Sequence, residues 1–600
     1  MRCAFRGCAL DQHQSNEPDY CVTNDVENQT EKTPLGDGRR LGILYLLAFL
    51  STITYGLITW QSAKFELSQP QIDRPIILVL GLFGLAFLYY IIASGVASTI
   101  RSSQKLTWAI VGPAIVFRVV GLFSTPIQEV DLYRYIWDGV VVSQGISPFK
   151  YPPDQVRMAD PAITADPELR KLARVRNQDP AIAKVLGHVH FGQLPTVYPA
   201  TSQAVFGLAA IVTPPDSSFD TRVRIMKTCL LAFDVGILFL VIGLLKLSNL
   251  PIGLSVMYGW CPLVWKEVAN SGHLDTIAAF FTTLAVYLLV RLLCSKRNDT
   301  QTKSGSIIPL SIAALVLAAA VGAKLYPVVL APLFLVVSIK KFNWPPVLLA
   351  GIVFTSATIA LLWPMLPSST QPEDATNIAA ATEPVANDPS LGMKTFLKQW
   401  EMNDSFFLVA VENLKPAETF PENDKVWFSI LPDQYRVTIS ETFVSLLGIT
   451  EREAPFMVTR IATSAIFILI ALWLAWKAGK NLSKSNDPAA EIGKSAFLTL
   501  AWFWLLSPTQ NPWYWIWALP FLPFVRNRAW IAVSGLVLIY YMRFWLGYHY
   551  YDKTVFETNY YGTEYFDFVV TWFEFAPWLV WLAGESVYRS IRNRTKTKSD

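Results

Sequence analysis

Charge is the first thing this chain is short of. Asp, Glu, Lys and Arg make up 16% of its 600 residues, where a soluble protein carries about 25%. Most of the length is therefore not a water-surrounded globule. The net charge is only +4, too small to argue for a nucleic-acid partner. Cysteines number six. Cys229, Cys261 and Cys294 stand in or beside apolar runs and read as small core residues. Cys3, Cys8 and Cys21, with His13, occupy a polar N-terminal tail at a spacing that no standard zinc site uses. The tail reads as disordered, and neither a metal nor a cofactor is expected. There is no Walker phosphate loop, so ATP-driven transport has no motif behind it. There is no G-x-S-x-G elbow, so a serine hydrolase is unsupported. No cleavable signal peptide is expected: the first 38 residues are polar, and the first apolar run follows Arg39-Arg40. No repeat of the apolar pattern relates the two halves, which argues against an inverted-repeat transporter.

What is abundant is apolar and aromatic. Hydrophobic residues are 52% of the chain, with 21 Trp, 23 Tyr and 36 Phe, the profile of a polytopic membrane protein with interfacial rings. A spanning helix needs about 20 mostly apolar residues. Runs near 41–60, 77–98, 107–123, 226–246, 251–266, 275–294, 306–323, 325–339, 345–363, 457–476, 495–507, 514–525, 529–547 and 567–584 predict an all-α bundle of about 14 spans. Basic residues alternate along the connections. With the N-terminus in the cytoplasm, the cytoplasmic loops collect Arg39-Arg40, Arg101, Lys105, Lys246, Lys340-Lys341, Arg526, Arg528 and the tail from Arg589 to Lys598. The expected organisation is a cytoplasmic tail over 1–40, a membrane domain over 41–585 and a basic cytoplasmic tail over 586–600. Two long outer loops fall at about 124–220 and 364–456. Loops of that length are uncommon unless functional, so chemistry is expected on the outer face. Within the first, ELRKLARVRNQDPAIAKVL has an amphipathic helical pattern.

The first loop opens on EVDLYRYIWDG, Glu129 to Gly139. As a helix it places Asp131, Arg134, Tyr135 and Asp138 on one face. Read plainly, this is a solvated helix start with an Arg–Asp pair and an aromatic belt. Read functionally, it is a carboxylate poised at the membrane surface for general-base work, with Tyr133, Tyr135 and Trp137 available to a sugar or a lipid. Neighbouring acids raise one another's pKa. KEVANSGHLD, Lys266 to Asp275, offers Glu267, Asn270, His273 and Asp275; one His with scattered acids is weak evidence for a metal. GAKLYP carries Lys324 at a Gly/Pro break, either snorkelling or neutralising an anionic headgroup. LSPTQNPWYW reads as a shaped interfacial turn. Arg543, in YYMRFWLGY, is a phosphate ligand or a snorkelling anchor.

Together these pieces resemble a family. DLYRYIWDG followed by GISPFKYPP is similar to the D-x-Y-R-Y-x-W-D-G…G-x-N-P-Y signature of bacterial GT-C glycosyltransferases, in particular a mannosyltransferase-like branch acting on envelope or lipid-linked glycans. LPTVYPATSQAVF, CPLVWKEVANSGHLD, AKLYPVVLAPLFL, LGMKTFLKQWEMNDSFF and SPTQNPWYWIWALPFLP resemble further family segments in order, so the likeness covers roughly residues 110–525. Departures are Val130 between Glu129 and Asp131, Asn511 in place of a His, and Ser147 and Phe149 in place of Asn and Tyr.

The resemblance implies an integral membrane enzyme of the bacterial inner or plasma membrane. It would transfer a hexose, mannose by family, from a polyprenyl phosphate to an acceptor hydroxyl on a glycan or lipid-linked acceptor, with inversion. Expected roles are base for Asp131, with Glu129 as alternative or partner; donor-phosphate cations Lys324, Arg134 and Arg543, in that order; and donor, sugar or lipid contacts from Tyr133, Tyr135, Trp137, Asp138, His273 and Asp275. Membrane lipids surround it and nucleic acid has no part. The competing class is a transporter or flippase of lipid-linked sugars, which predicts essential charges in the middles of several spans. A non-catalytic scaffold would tolerate loss of the loop carboxylates.

Overall fold

The computed structural model describes residues 36–294, 307–366, 388–482, 484, 487–525 and 527–596. The Cys-containing tail and the 367–387 part of the second long loop lie outside the described residues. Helices dominate, and the one β-type pairing among the described residues is an isolated bridge between Met402 and Thr509. Nine described helices are long and apolar enough to cross a membrane: Asp37–Phe65, Gln71–Ser98, Gln104–Leu122, Phe219–Leu247, Asp275–Cys294, Trp344–Met365, Ala454–Leu482, Ala529–His549 and Gly562–Arg589. Ala200–Val212 and Ile307–Ala323 are apolar but shorter.

The expected count of about 14 spans is not confirmed, and proline explains much of the difference. The run at 251–266 is a chain of short turns, Ile252–Ser255, Val256–Gly259 and Pro262–Val264, followed by a π-helix, Trp265–Asn270. The run at 514–525 belongs to two 3-10 helices, Pro512–Trp517 and Leu519–Phe524. Pro251, Pro262, Pro512, Pro520 and Pro523 withhold the N–H that a continuous helix needs. Both broken segments are almost wholly buried. Irregular backbone is tolerated at membrane depth only inside protein.

Two poles can be told apart by their ties. At one, Gln128 Oε1 accepts from Arg74 (2.8 Å) and Tyr548 (3.1 Å), gathering the start of Gln71–Ser98, the end of Gln104–Leu122 and the end of Ala529–His549. At the other, Arg40 donates to the Thr99 carbonyl (2.9 Å) and Ile252 N–H donates to Ser102 Oγ (3.1 Å). Between them, Arg118 and Asp234 form a buried pair, Nε to Oδ2 2.7 Å and Nη2 to Oδ1 3.3 Å, and Tyr258 donates to Asp234 Oδ1 at 2.6 Å. A charge at such depth persists only when paired in this way.

The first long loop is folded. ELRKLARVRNQDPAIAKVL forms the helices Pro167–Gln178 and Pro180–Gly187. Asp166 caps the first by accepting from Glu168 and Leu169 N–H, and Asp179 caps the second by accepting from Ala181 and Ile182 N–H. Each cap satisfies amide groups that have no partner within the helix. EVDLYRYIWDG forms the start of Asp131–Ser143, which lies against Ala200–Val212 so closely that a Cβ on Gly139 would fall 2.3 Å from the Phe206 carbonyl oxygen. That approach fixes the height of Asp131 above the bundle.

Candidate functional site

Asp131 is the first residue of its helix, where the exposed amides and the helix dipole favour a carboxylate. Its side chain keeps 40% exposure, and its Oδ2 lies 4.0 Å from His273 Nδ1. His273 reaches it because the chain turns sharply between the π-helix and Asp275–Cys294. Gly272 takes φ +69° there, and a Cβ would meet Leu132 Cδ1 at 2.8 Å, so glycine answers both the backbone sign and the crowding. The imidazole stacks on Trp513, 4.3 Å between centroids and 9° between planes. Its Nε2 is 3.4 Å from Glu267 Oε2. Tyr541 donates to Glu267 Oε1 at 2.8 Å, and Lys266 donates to the Tyr541 hydroxyl (2.9 Å) and to Ser271 Oγ (2.7 Å). Glu129 lies near Lys266, Glu267 and Asp131.

On the other side stands a second charged pair. Lys324 Nζ donates to Asp275 Oδ1 at 2.6 Å, and Trp517 Nε1 donates to the same oxygen at 2.6 Å. The ammonium lies 4.2 Å from the Tyr514 ring centroid, and Tyr326 stacks on Trp517 at 4.1 Å. The Pro512–Trp517 turn thus forms an aromatic wall serving both halves: Trp513 carries His273, while Tyr514 and Trp517 carry Lys324. Cation–π contact of this kind is worth about 0.5–2 kcal/mol depending on desolvation.

Electrostatics set the protonation states. Burial, followed by repulsion from Glu267 and Asp131, holds the Glu129 carboxyl well above the usual range despite the opposing pull of Lys266. Asp131 is also raised, by desolvation first, with Asp275 adding to it and Lys324 and Arg134 opposing. Burial, helped by Lys266 and Lys324, pushes His273 well below the ordinary imidazole value, leaving it neutral. Glu129 Oε1, Glu267 Oε2, both His273 ring nitrogens and Asp275 Oδ2 are buried without a hydrogen bond. Such atoms are rare in folded proteins, and their convergence gives this site hydrogen-bonding capacity that the protein itself does not use.

The remaining expected site residues are placed differently. Arg134 is engaged inward: Nε bonds Asp138 Oδ1 at 3.1 Å and Nη2 bonds the Leu194 carbonyl at 2.7 Å. Asp138 is buried and also accepts from Gln203 (3.1 Å), so this pair ties EVDLYRYIWDG to LPTVYPATSQ. Arg543 holds Asp567 in a forked pair, 3.1 and 3.3 Å, in a neighbourhood shared with Glu401 and Asp404 and apart from Lys324. The three rings expected to meet sugar or lipid are buried. Tyr135 is stacked on Phe206 at 4.8 Å and Tyr133 on Phe219 at 5.5 Å, and Trp137 is 1% exposed. All three are core, because the helix packs on both Ala200–Val212 and Phe219–Leu247 and turns its rings into those contacts.

Sequence reasoning missed the part played by Lys266 and Tyr541. The signal for the first was an ionisable dyad, Lys266-Glu267, directly after an apolar run. Nothing local announces Tyr541, 274 residues from Glu267. Among the described residues no group of three or more His, Cys, Asp or Glu side chains is arranged to hold a metal ion. Set against known proteins, the chain matches no family model, no curated protein and no solved structure.

Proposed function

We propose that this protein is an integral membrane glycosyltransferase that moves a hexose, mannose in the first instance, from a polyprenyl phosphate donor to an acceptor hydroxyl on the outer face, inverting the anomeric centre. The observation that carries the reading is Asp131: a partly exposed carboxylate at a helix N-terminus, 4.0 Å from a neutral-favouring His273, facing a cation, Lys324, held on an aromatic wall. The likeness of the EVDLYRYIWDG, NSGHLD and SPTQNPWYW segments to GT-C enzymes supports the same reading.

In this mechanism the acceptor oxygen attacks the anomeric carbon as the bond from that carbon to the phosphate oxygen breaks. Asp131 accepts the hydroxyl proton, a task for one carboxylate within hydrogen-bond reach. The electron pair of the broken bond stays on the polyprenyl phosphate, and Lys324 stabilises that growing charge. His273 orients the donor or acceptor, and Glu129 is the reserve base. The lipid tail remains in the bilayer throughout. A flippase reading needs essential open charges at mid-span, whereas the Arg118–Asp234 pair within the spans is closed by Tyr258.

The test is transfer of labelled sugar from a panel of polyprenyl-phosphate donors in membranes, comparing the parent chain with Asp131→Asn at matched expression. Transfer by the parent that collapses in the variant is the expected result, and the responding donor names the sugar. Transfer that survives unchanged moves the base to Glu129. Altered lipid-linked sugar flux without any transfer would overturn the enzyme reading in favour of the flippase.

A further inference from the structure

The pole opposite the site contains a cavity of about 1000 Å³. It lies among the end of Gln71–Ser98, the 250–257 turn, the start of Pro488–Leu506, the Arg528 end of Ala529–His549 and the last helix, and no step of the proposed reaction uses it. Its inner wall is apolar, with Leu254, Met257 and Ile531. Its mouth is basic, with Lys494, Arg528 and Arg589 against Asp487 and Glu491. The two acids do not cancel the cations evenly. Glu491 already accepts from Asn481 at 2.8 Å, and Arg589 is paired with Glu585 at 2.9 Å. Lys494 and Arg528 are exposed and form no ion pair among the described residues. Within the cavity the Ser94 hydroxyl is 5% exposed and has no hydrogen-bond partner.

We propose that this cavity binds an anionic diacyl phospholipid, its phosphate between Lys494 and Arg528 and the upper part of an acyl chain along Leu254, Met257 and Ile531. Unpaired cations over an apolar slot match the two halves of such a lipid and no wholly soluble ion. Snorkelling alone would point each basic side chain to the interface separately. Here they come from two different elements onto one opening, with an unsatisfied hydroxyl from a third inside it. Basic recesses between membrane helices bind anionic headgroups where the adjoining leaflet is anionic, each cation near the surface contributing about 1 kcal/mol. The basic-loop pattern assigns this pole to the cytoplasmic leaflet. The inference is independent of the glycosyltransferase reading.

The experiment is native mass spectrometry of the full-length protein, comparing occupancy by dioleoyl phosphatidylglycerol and dioleoyl phosphatidylcholine. The parent is expected to retain the anionic lipid selectively. Lys494→Gln with Arg528→Gln is expected to lower that occupancy about 30-fold, whereas Lys553→Gln, an exposed charge elsewhere, leaves it unchanged. Ala532→Trp fills the cavity without touching charge and is expected to give the same loss, so a folding defect in either variant does not decide the matter alone. Four outcomes overturn the proposal: equal occupancy by both headgroups; occupancy unaltered in both cavity variants; displacement of phosphatidylglycerol by equimolar polyprenyl phosphate; or binding that appears only after residues 2–35 are deleted, which would make a segment of the chain the natural occupant.

Discussion

Replacing Lys324 by Met isolates the ion pair at the heart of the site. The side chain keeps most of its length and loses its charge, leaving Asp275, 1% exposed, without its cation. Breaking a fully buried pair by removing one member costs about 3–5 kcal/mol. Two features lower that figure here. Lys324 retains 18% exposure, and Trp517 still donates to Asp275 Oδ1. The expected loss is therefore about 2–3 kcal/mol. Adding Asp275→Asn removes the stranded charge while the amide oxygen still accepts from Trp517, and the double variant should return to within about 1 kcal/mol of the parent. Denaturant unfolding in one fixed micelle, followed by the fluorescence of the chain's 21 tryptophans, reads the global loss. Losses that simply add in the double variant, or a Lys324→Met change below about 0.5 kcal/mol, would refute the coupling. Under the proposed mechanism the single variant also loses about 100-fold or more in transfer rate, the scale of removing one donor to a developing anion.

Other outcomes are expected. Under the proposed mechanism Asp131 must be ionised to act, and its carboxyl is raised by desolvation and Asp275. Transfer should thus fall as pH drops through a value above the ordinary Asp pKa of about 3.9; a limb at or below that value in a kcat/KM profile would count against Asp131 as base. Asp234→Leu alone should destabilise the bundle by about 3–5 kcal/mol by stranding Arg118, and Arg118→Met with Asp234→Leu should recover most of it, both measured by thermal unfolding in micelles. Gly139→Ala should cost about 2 kcal/mol or more in the same assay, since the new Cβ meets the Phe206 main chain at 2.3 Å, and transfer should fall because the helix carrying Asp131 is pushed aside.

Helical membrane character was plain in the apolar runs, as was the amphipathic pattern over 168–186, while the cap at Asp179 that splits it into two helices was not read. The chemical pieces were plain too: Asp131, His273, Asp275 and Lys324 stood out as ionisable groups where apolar runs end. Two things were not legible. Periodicity cannot tell an unbroken span from a buried run of short turns, and only the density of prolines at 251–262 and 512–523 hinted at the latter. Nor does local sequence tell which face of the Asp131–Ser143 helix meets neighbours. The rings of Tyr133, Tyr135 and Trp137 suggested a binding surface by their chemistry, and packing on two other helices made them core. Arg134 and Arg543 were indistinguishable from Lys324 by type alone; all three are paired, and it is the place of the partner, Asp275 beside His273 rather than Asp138 or Asp567, that sets Lys324 apart.

The tie from Glu267 to Tyr541 has a consequence for biosynthesis. Glu129, Lys266 and Glu267 leave the ribosome long before Trp513 or Tyr541 exist, yet their partners come from both ends of that interval. Ionisable groups without partners are costly in hydrocarbon, so the 129–131 and 266–275 segments must wait at the water-exposed end of a half-built bundle. The cluster closes only when the chain beyond 541 has been inserted. Truncation anywhere before that point removes more than a terminal helix: it leaves Glu267 without the Tyr541 hydroxyl and His273 without the Trp513 ring.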